Sequence, residues 1–486
     1  MKDNASVVIV GSGVGGLTAA IILAKMGCRV TVVEKNRRPG GLMRGYSRQG
    51  VDCPVGIHYL CGLAENEPLG RVFEYLGVAD RIPLERMGRD GVIDRYIFDD
   101  FTFDFPPGFE AFEANLKAAF PSEERRISVL MERIRLAAGQ IGTLEAVLSP
   151  TDAFGLEAMQ PSGEFMAELG CSKELTDVLG VSTSLVGVAV EECPVWLHHT
   201  TIAAYLMSSW RLKEGGAAMA EVYADRLREL GGGMIQGQAA RSIEASDHRV
   251  RAVILEDGRR LEADYVVAAI HPKLILDLLP AGEVKPSLRA KMTALQETPG
   301  VFCVQAMVNA SVRPALDHNV YRLQAGSADR SGLSFFQVRP TRQSSHNLLT
   351  VIEPSPYEDW RAFNRTVTGR RGPEYQDKKR REAGRLLDEA AKILGPLGEY
   401  QVLDAYSPLT LRDWVSSPRG ATYGIKHTND QMLAVRQFAR RNVAGLYLSG
   451  QNLMAPGIMG TTLGVLWTVA LMVGGPRLRR EFGLSV

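Results

Sequence analysis

The sequence predicts an α/β fold in two domains: a discontinuous Rossmann-type domain that holds a dinucleotide, and a mixed α+β domain that presents a substrate to it. Three observations predict this. A strand, a glycine-rich turn, a helix and a second strand ending in an acid follow one another within the first 34 residues. Another glycine-rich helix start stands near the far end, at Gly457 and Gly460. The middle repeats neither pattern, and 486 residues exceed what one core usually organises.

The first unit is the most explicit. Residues 6–10 form a short β-branched run, followed by Gly11, Ser12, Gly13, Val14, Gly15 and Gly16, a helical stretch over residues 17–26, a strand over 29–33 and then Glu34. A glycine fingerprint means little alone, but between a strand and a helix, with an acid closing the next strand, it specifies a nucleotide site. Gly11 allows the tight turn, Gly13 lets backbone approach a pyrophosphate, and Gly16 lets helix and strand pack closely. The helix start then faces the phosphates with its partial positive charge. Glu34 is expected to accept hydrogen bonds from a ribose 2′-OH and to repel a 2′-phosphate.

The turn Lys35-Asn36-Arg37-Arg38-Pro39-Gly40-Gly41-Leu42 follows, its paired glycines suited to backbone lying against something bulky. Phe101, Phe103 and Phe105 alternate with polar residues as in a half-buried strand. Residues 121–145 are expected to be one helix capped by Ser122, and residues 375–394 a second long amphipathic helix. Between residues 215 and 272 the nucleotide-binding style returns: a helix over 217–230, a triple-glycine turn, and short strands with Asp257-Gly258 as a hairpin turn. No second fingerprint follows, so no separate pyridine-nucleotide domain is expected. The expected division is 1–75, 212–285 and 400–486 for the dinucleotide domain, and 76–211 and 286–399 for the substrate domain.

Lys plus Arg number 56 against 55 Asp plus Glu, and a net charge of +1 gives no field to gather nucleic acid. Six cysteines without CxxC spacing suit reduced thiols in a cytoplasmic setting, and Cys53 and Cys61 around His58 lack metal-ligand spacing, so no metal is expected. The N-terminal apolar run starts at Val7 and is broken by glycine, unlike a signal peptide. The uncharged stretch 453–475 has the length of a membrane span, but its glycines and threonines at the front read as a ligand-binding helix start. Membrane contact is therefore expected to be peripheral.

Taken in order, the fingerprint with Glu34, the Gly40-Gly41 pair, Gly56-Ile57-His58-Tyr59, the 215–272 block, Ser407-Pro408-Leu409-Thr410, Gly420-Ala421-Thr422-Tyr423-Gly424 and residues 445–464 resemble the phytoene desaturase, carotenoid isomerase and retinol saturase superfamily of flavoproteins. The resemblance runs from residue 7 to about residue 473. It implies FAD as cofactor, an apolar polyene, isoprenoid or lipid as substrate, and redox chemistry or isomerisation at a carbon–carbon double bond. It also implies that Ala240 lies on the adenine side, that Gly450, Gln451 and Asn452 meet the ribityl and pyrophosphate region, and that Gly457, Gly460 and Thr461 begin a helix aimed at the flavin pyrimidine edge. The residues agree with FAD: a C-terminal strand, turn and helix start that return to the first domain suit a long, fixed dinucleotide. Gln451-Asn452 stand where many relatives carry an acid, and Leu42 where many carry Arg.

Such chemistry needs a dry slot that holds a substrate carbon at roughly 3 to 3.5 Å from the reacting flavin atom, with few polar groups. His58, Tyr59 and Tyr423 are the candidates for a proton donor or a substrate orienter. The region 184–210, with Trp196, His198, His199, Tyr205, Met207 and Trp210, is a candidate entry tunnel. Oxidation of an amine is the enzymatic alternative, although no sequence element builds the aromatic cage such enzymes use. A flavin- or lipid-binding protein without turnover is the alternative of another class.

Overall fold

The computed structural model describes residues 4–149, 156–324, 332–343, 345–441 and 443–485. Two large sheets organise them. The first is five-stranded and parallel, in the order Gly233–Gln236, Arg29–Glu34, Ser6–Val10, Tyr265–Ala268, Leu446–Leu448. Its central strands are hydrophobic on both faces, as a parallel sheet covered by helices requires. Helix Val14–Lys25 covers one side, and the antiparallel ribbon Ala240–Ser246, Arg249–Leu255, Arg260–Glu262 attaches beside it, turning at Asp257 and Gly258.

The uncharged C-terminal stretch forms helix Gly457–Val473, with Ile458, Leu463, Val465, Leu466, Val469 and Met472 buried against the first sheet's helices. Burying each such side chain contributes about 1.5–3 kcal/mol, which is reason enough for the run to be apolar. Among the described residues no helix is long and apolar enough to cross a membrane.

The second sheet has seven strands, in the order Tyr400–Tyr406, Gly300–Asn309, His346–Ser355, Leu333–Pro340, Asn319–Leu323, Asp94–Ile97, Thr102–Phe105. Side-chain alternation divides its faces. Phe302, Val320, Phe336 and Val351 pack under helix Gly372–Leu394 with Trp360 and Leu386. Their neighbours Val301, Tyr321, Phe335 and Ile352 face the opposite way, into a cavity between the sheets. A three-stranded ladder, Leu60–Cys61, Ser209–Leu212 and Leu84–Arg86, lies beside it.

Two local expectations change. Residues 121–145 are a 3₁₀ turn Pro121–Glu123, a helix Glu124–Ile141 and a separate helix Leu144–Leu148. Ser122 caps nothing. Thr143 does, its hydroxyl accepting the Ala146 N–H at 3.2 Å, so the chain breaks at Gly142 and restarts. Tyr400–Tyr406, expected with the dinucleotide segments, is an edge strand of the seven-stranded sheet, pairing Cys303 with Tyr406.

The fingerprint itself leaves no room at Gly16, where a Cβ would lie 2.0 Å from the Gly11 carbonyl oxygen. Gly16→Ala should therefore cost about 3 kcal/mol or more. Chemical denaturation checks this; a variant as stable as the parent would show that the strand–helix contact yields easily.

Candidate flavin and substrate site

The site grows from the first turn. Ser12 donates from both its N–H and its hydroxyl to one oxygen of Glu34, at 3.1 and 2.6 Å, and Asn36 donates twice to the other at 2.8 Å. Glu34, buried at the end of its strand, thus ties the fingerprint loop to the next turn. Gly40 N–H bonds to the Ser12 carbonyl at 3.0 Å, and a Cβ on Gly41 would lie 3.1 Å from Gly13 Cα, so the paired glycines lie directly on the fingerprint. A Cβ on Gly13 would meet nothing within 4 Å. Backbone amides and a helix start therefore face open space there, the form a phosphate cradle takes.

The two ends of the chain meet at this cradle. The Ser449 hydroxyl donates to the Gly15 carbonyl at 3.3 Å, and Gly15 faces Gly450 and Thr461. Gly457, Gly460, Thr461 and Gln451 line the cavity that opens from the cradle, together with Val14, Gly40 and Leu42. Gly56, Ile57, His58, Tyr59 and Tyr423 line it further on.

Several candidates are engaged elsewhere. Lys35 Nζ donates to the Asp413 carbonyl at 2.8 Å. Asn452 Oδ1 lies against Gly424 and accepts the Ile425 N–H at 2.8 Å, which holds the returning segment. Ala240 begins its ribbon strand close to Glu34, whose carbonyl accepts the Gln238 N–H. Of the proposed tunnel residues, Trp196 and Tyr205 line the cavity; His198 Nε2 bonds to the Leu179 carbonyl at 3.0 Å, and Trp210 Nε1 donates to Ser208 at 2.9 Å.

A cation, Arg44, stands two residues after Leu42. Arg44 lies over the Trp414 ring at 5.1 Å, faces the charge of Glu34, and keeps a buried Nη1 without a hydrogen-bond partner. Nothing in the spacing pointed to it, because the short turn Gly41–Met43 carries the side chain around.

The cavity is about 1070 Å³, above the upper end of usual ligand pockets and roomy enough for a dinucleotide ring system together with an elongated ligand. Its inner wall is apolar, with Val186, Leu197, Ala204, Phe335 and Met459. Burial lowers the His58 imidazole to about 4, helped by the Arg339 charge and opposed by the Gln337 amide and the Val55 backbone. The ring is neutral at neutral pH. Burial raises the Tyr423 phenol to about 12, and its ring rests against Gly187. Tyr59 is not free: its hydroxyl donates to Asp94 at 3.0 Å and shares a hydrogen bond with Tyr321 at 2.9 Å. Among the described residues, no group of His, Cys, Asp and Glu could hold a metal ion.

Residues 14–463 match the family described as flavin containing amine oxidoreductase. The chain belongs to that family. It is an FAD-dependent oxidoreductase. As a member of the family it is similar to all-trans-retinol 13,14-reductase of Homo sapiens, 24% identical with 96% of this chain and 85% of that protein covered. It is similar to all-trans-zeta-carotene desaturase of Myxococcus xanthus, 24% identical with 91% and 88% covered. The flavoenzyme fold is shared with cyclohexylamine oxidase of Brevibacterium oxydans, TM-score 0.61 and 17% identity, covering 99% of each chain. The open cradle at Gly13, the two helix starts and the cavity fit FAD.

Gly13→Val fills that open space without touching the fold. The variant should melt within a few degrees of the parent yet purify colourless; a yellow variant with full flavin content would overturn this placement of the pyrophosphate.

Proposed function

We propose that this flavoprotein carries out redox chemistry or isomerisation at a carbon–carbon double bond of an elongated apolar polyene or isoprenoid. The observation that carries the reading is one cavity that meets the cradle at Val14 and Gly40 and continues between apolar walls. The names of the two curated relatives, a retinol reductase and a carotene desaturase, support it. In this reading the unit built on the five-stranded sheet holds FAD, and the unit built on the seven-stranded sheet presents the substrate. Gly13 and the starts of the helices Val14–Lys25 and Gly457–Val473 take the pyrophosphate and the flavin edge; Glu34 and Arg44 serve the adenosine side. Because Asn36 and Ser12 already occupy the Glu34 carboxylate, a ribose hydroxyl would share or displace one of those donors.

FAD, when bound, supplies two-electron chemistry. The chain's own part is to exclude water, to align the substrate and to handle a proton. His58, uncharged, orients substrate with one ring nitrogen. Tyr59 belongs to the proton-handling group, since its hydroxyl touches a carboxyl. Tyr423 shapes the slot.

Amine oxidation stays as a second reading because of one observation. Tyr59 and Tyr205 rings lie 4.8 Å apart, Tyr321 and Phe335 5.1 Å, and His58 and Phe335 5.3 Å, so an aromatic enclosure is assembled from segments far apart in sequence. No single sequence element builds such an enclosure; the fold gathers it from distant segments. Among the described residues the acids that line the cavity, Glu192 and Asp430, are exposed, and none is placed on the inner wall to receive an ammonium, which favours the polyene.

Anaerobic mixing of oxidised and of dithionite-reduced protein with all-trans-retinol, zeta-carotene and simple amines decides between the readings. A polyene that changes the flavin colour and yields a product altered by two hydrogens, or an isomer of equal mass, supports the proposal. Inert polyenes with oxidised flavin bleached by amines would overturn it. With the reacting polyene, Tyr423→Phe should slow turnover less than tenfold, whereas Tyr423→Ala should open a cavity and weaken binding.

The mouth suggests how such a substrate arrives. Met159 and Leu433 line the cavity and are 44% and 57% exposed. We infer peripheral contact of this rim with a membrane on its cytoplasmic side. Leu433→Asp should reduce co-sedimentation with phosphatidylcholine vesicles several-fold, and unchanged binding would exclude this rim.

A further inference from the structure

Asp94 begins the strand Asp94–Ile97, whose alternation puts it on the buried face with Tyr96. It is 2% exposed. A carboxylate so placed needs compensation, yet its bonding partners are neutral: the Tyr59 hydroxyl at 3.0 Å on Oδ2 and the Asn319 amide at 2.8 Å on Oδ1. The Arg211 guanidinium stops one group short, donating to Asn319 Oδ1 at 3.0 Å and to the Leu316 carbonyl at 2.7 Å.

The same Tyr59 hydroxyl lies 2.9 Å from the Tyr321 hydroxyl. Both tyrosines line the cavity and Asp94 does not. Three oxygens therefore form a chain from a sealed carboxyl to the substrate space. Each phenol owns one proton, so the direction of the chain follows the state of Asp94. With Asp94 ionised, Tyr59 donates to it, Tyr321 donates to Tyr59, and the cavity meets only lone pairs. With Asp94 protonated, the donations reverse and the Tyr321 proton is left for the cavity.

We propose that Asp94, Tyr59 and Tyr321 form a proton relay, with Asp94 the reservoir and Tyr321 the group that exchanges the proton with substrate. This deepens the reading of the cavity as a redox site for carbon–carbon bonds and rests on it. In desaturation a proton leaves a substrate carbon for the Tyr321 oxygen, the Tyr321 proton passes to Tyr59, and the Tyr59 proton passes to Asp94. The other hydrogen departs with its electron pair, which is the share of oxidised FAD, and the double bond forms. Saturation is the reverse with reduced FAD, Asp94 ending as carboxylate.

Burial raises the Asp94 carboxyl to about 7, against the lowering effects of Asn319, Tyr59 and Arg211, so both states are populated at neutral pH. The surrounding groups permit this. Burial and then the Asp94 charge raise the phenol of Tyr59, with Tyr321, Tyr205 and Tyr96 adding to it, so Tyr59 stays a neutral donor. Arg211 is also faced by Glu85, Asp317 and Asp90, and Arg339 by Glu85, so neither cation is devoted to Asp94.

Infrared difference spectra of the holoenzyme across neutral pH test the relay without any substrate. A protonated-carboxyl band should titrate near pH 7, accompanied by shifts of tyrosine C–O bands as donors become acceptors. Asp94→Asn, whose oxygen still accepts from Asn319 and whose amide donates to Tyr59 but does not titrate, should abolish both signals. Tyr321→Phe removes one oxygen only and serves even if the first variant fails to fold. It should keep the carboxyl titration and lose part of the tyrosine response. A carboxyl signal that survives in Asp94→Asn, or titrates with no tyrosine response, would overturn the relay. With any polyene that reacts, each variant should slow turnover by about 10² to 10⁴ and Asp94→Asn should flatten its pH profile; turnover within about threefold would also overturn it. Inert polyenes with an intact infrared response would count against the substrate reading alone.

Discussion

The structure depends on a contact between two stretches of bare backbone. A Cβ on Gly15 would lie 2.8 Å from Gly450 Cα and 2.9 Å from its nitrogen, and 3.2 Å from the Thr461 methyl. Because neither residue carries a side chain, the turn after Leu446–Leu448 can rest on the first turn of helix Val14–Lys25. That contact fixes the start of helix Gly457–Val473 beside the start of the first helix, so two sets of unpaired amides and two partial positive charges converge on one cradle. It also explains the discontinuity of the chain. The edge strand that leads into the second helix start arrives only after the whole substrate-side sheet has been laid down, so neither unit is complete when the first half of the chain ends.

On the substrate side, burial acts on every titratable group alike and penalises the charged form. For His58 and Tyr423 the neutral form is thereby secured well away from neutral pH. For Asp94 the same penalty starts from a lower value and leaves the group balanced near neutrality. One physical cause thus produces two groups fixed as neutral and one able to change, and the difference lies in the intrinsic acidity of the residue type.

What could be read from the sequence follows contact range. The strand–turn–helix–strand of residues 6–34 is legible because its logic is local: β-branched runs, glycines at set offsets and an acid at the strand end. The C-terminal helix start was legible for the same reason, and the likeness at both ends pointed to FAD. The aromatic enclosure was not, since Tyr59 meets Tyr321 across 262 positions and Asp94 meets Asn319 across 225. A signal did exist: in residues 94–97 the alternation that buries Tyr96 buries Asp94 too, and an acid on the inward face of a strand asks for a partner. Lys35 and Asn452 show the same limit: their bonds to the Asp413 carbonyl and the Ile425 N–H join segments far apart in sequence.

The cavity keeps its charges outside. Lys426 and Glu192 pair at 2.9 Å where the cavity meets solvent, and Asp430 and Arg436 are exposed there, while the inner wall is apolar or carries neutral polar tips. A wall of that kind excludes water, which protects two-electron chemistry from side reactions, but it also removes the ordinary source and sink of protons. Any reaction that makes or breaks a C–H bond with a proton then needs a protein group that can hold one in a sealed place. Asp94 lies behind the wall rather than in it, so the slot can remain apolar to a hydrocarbon while a proton passes through the two phenols. The dryness of the slot and the burial of the carboxyl are two parts of one arrangement.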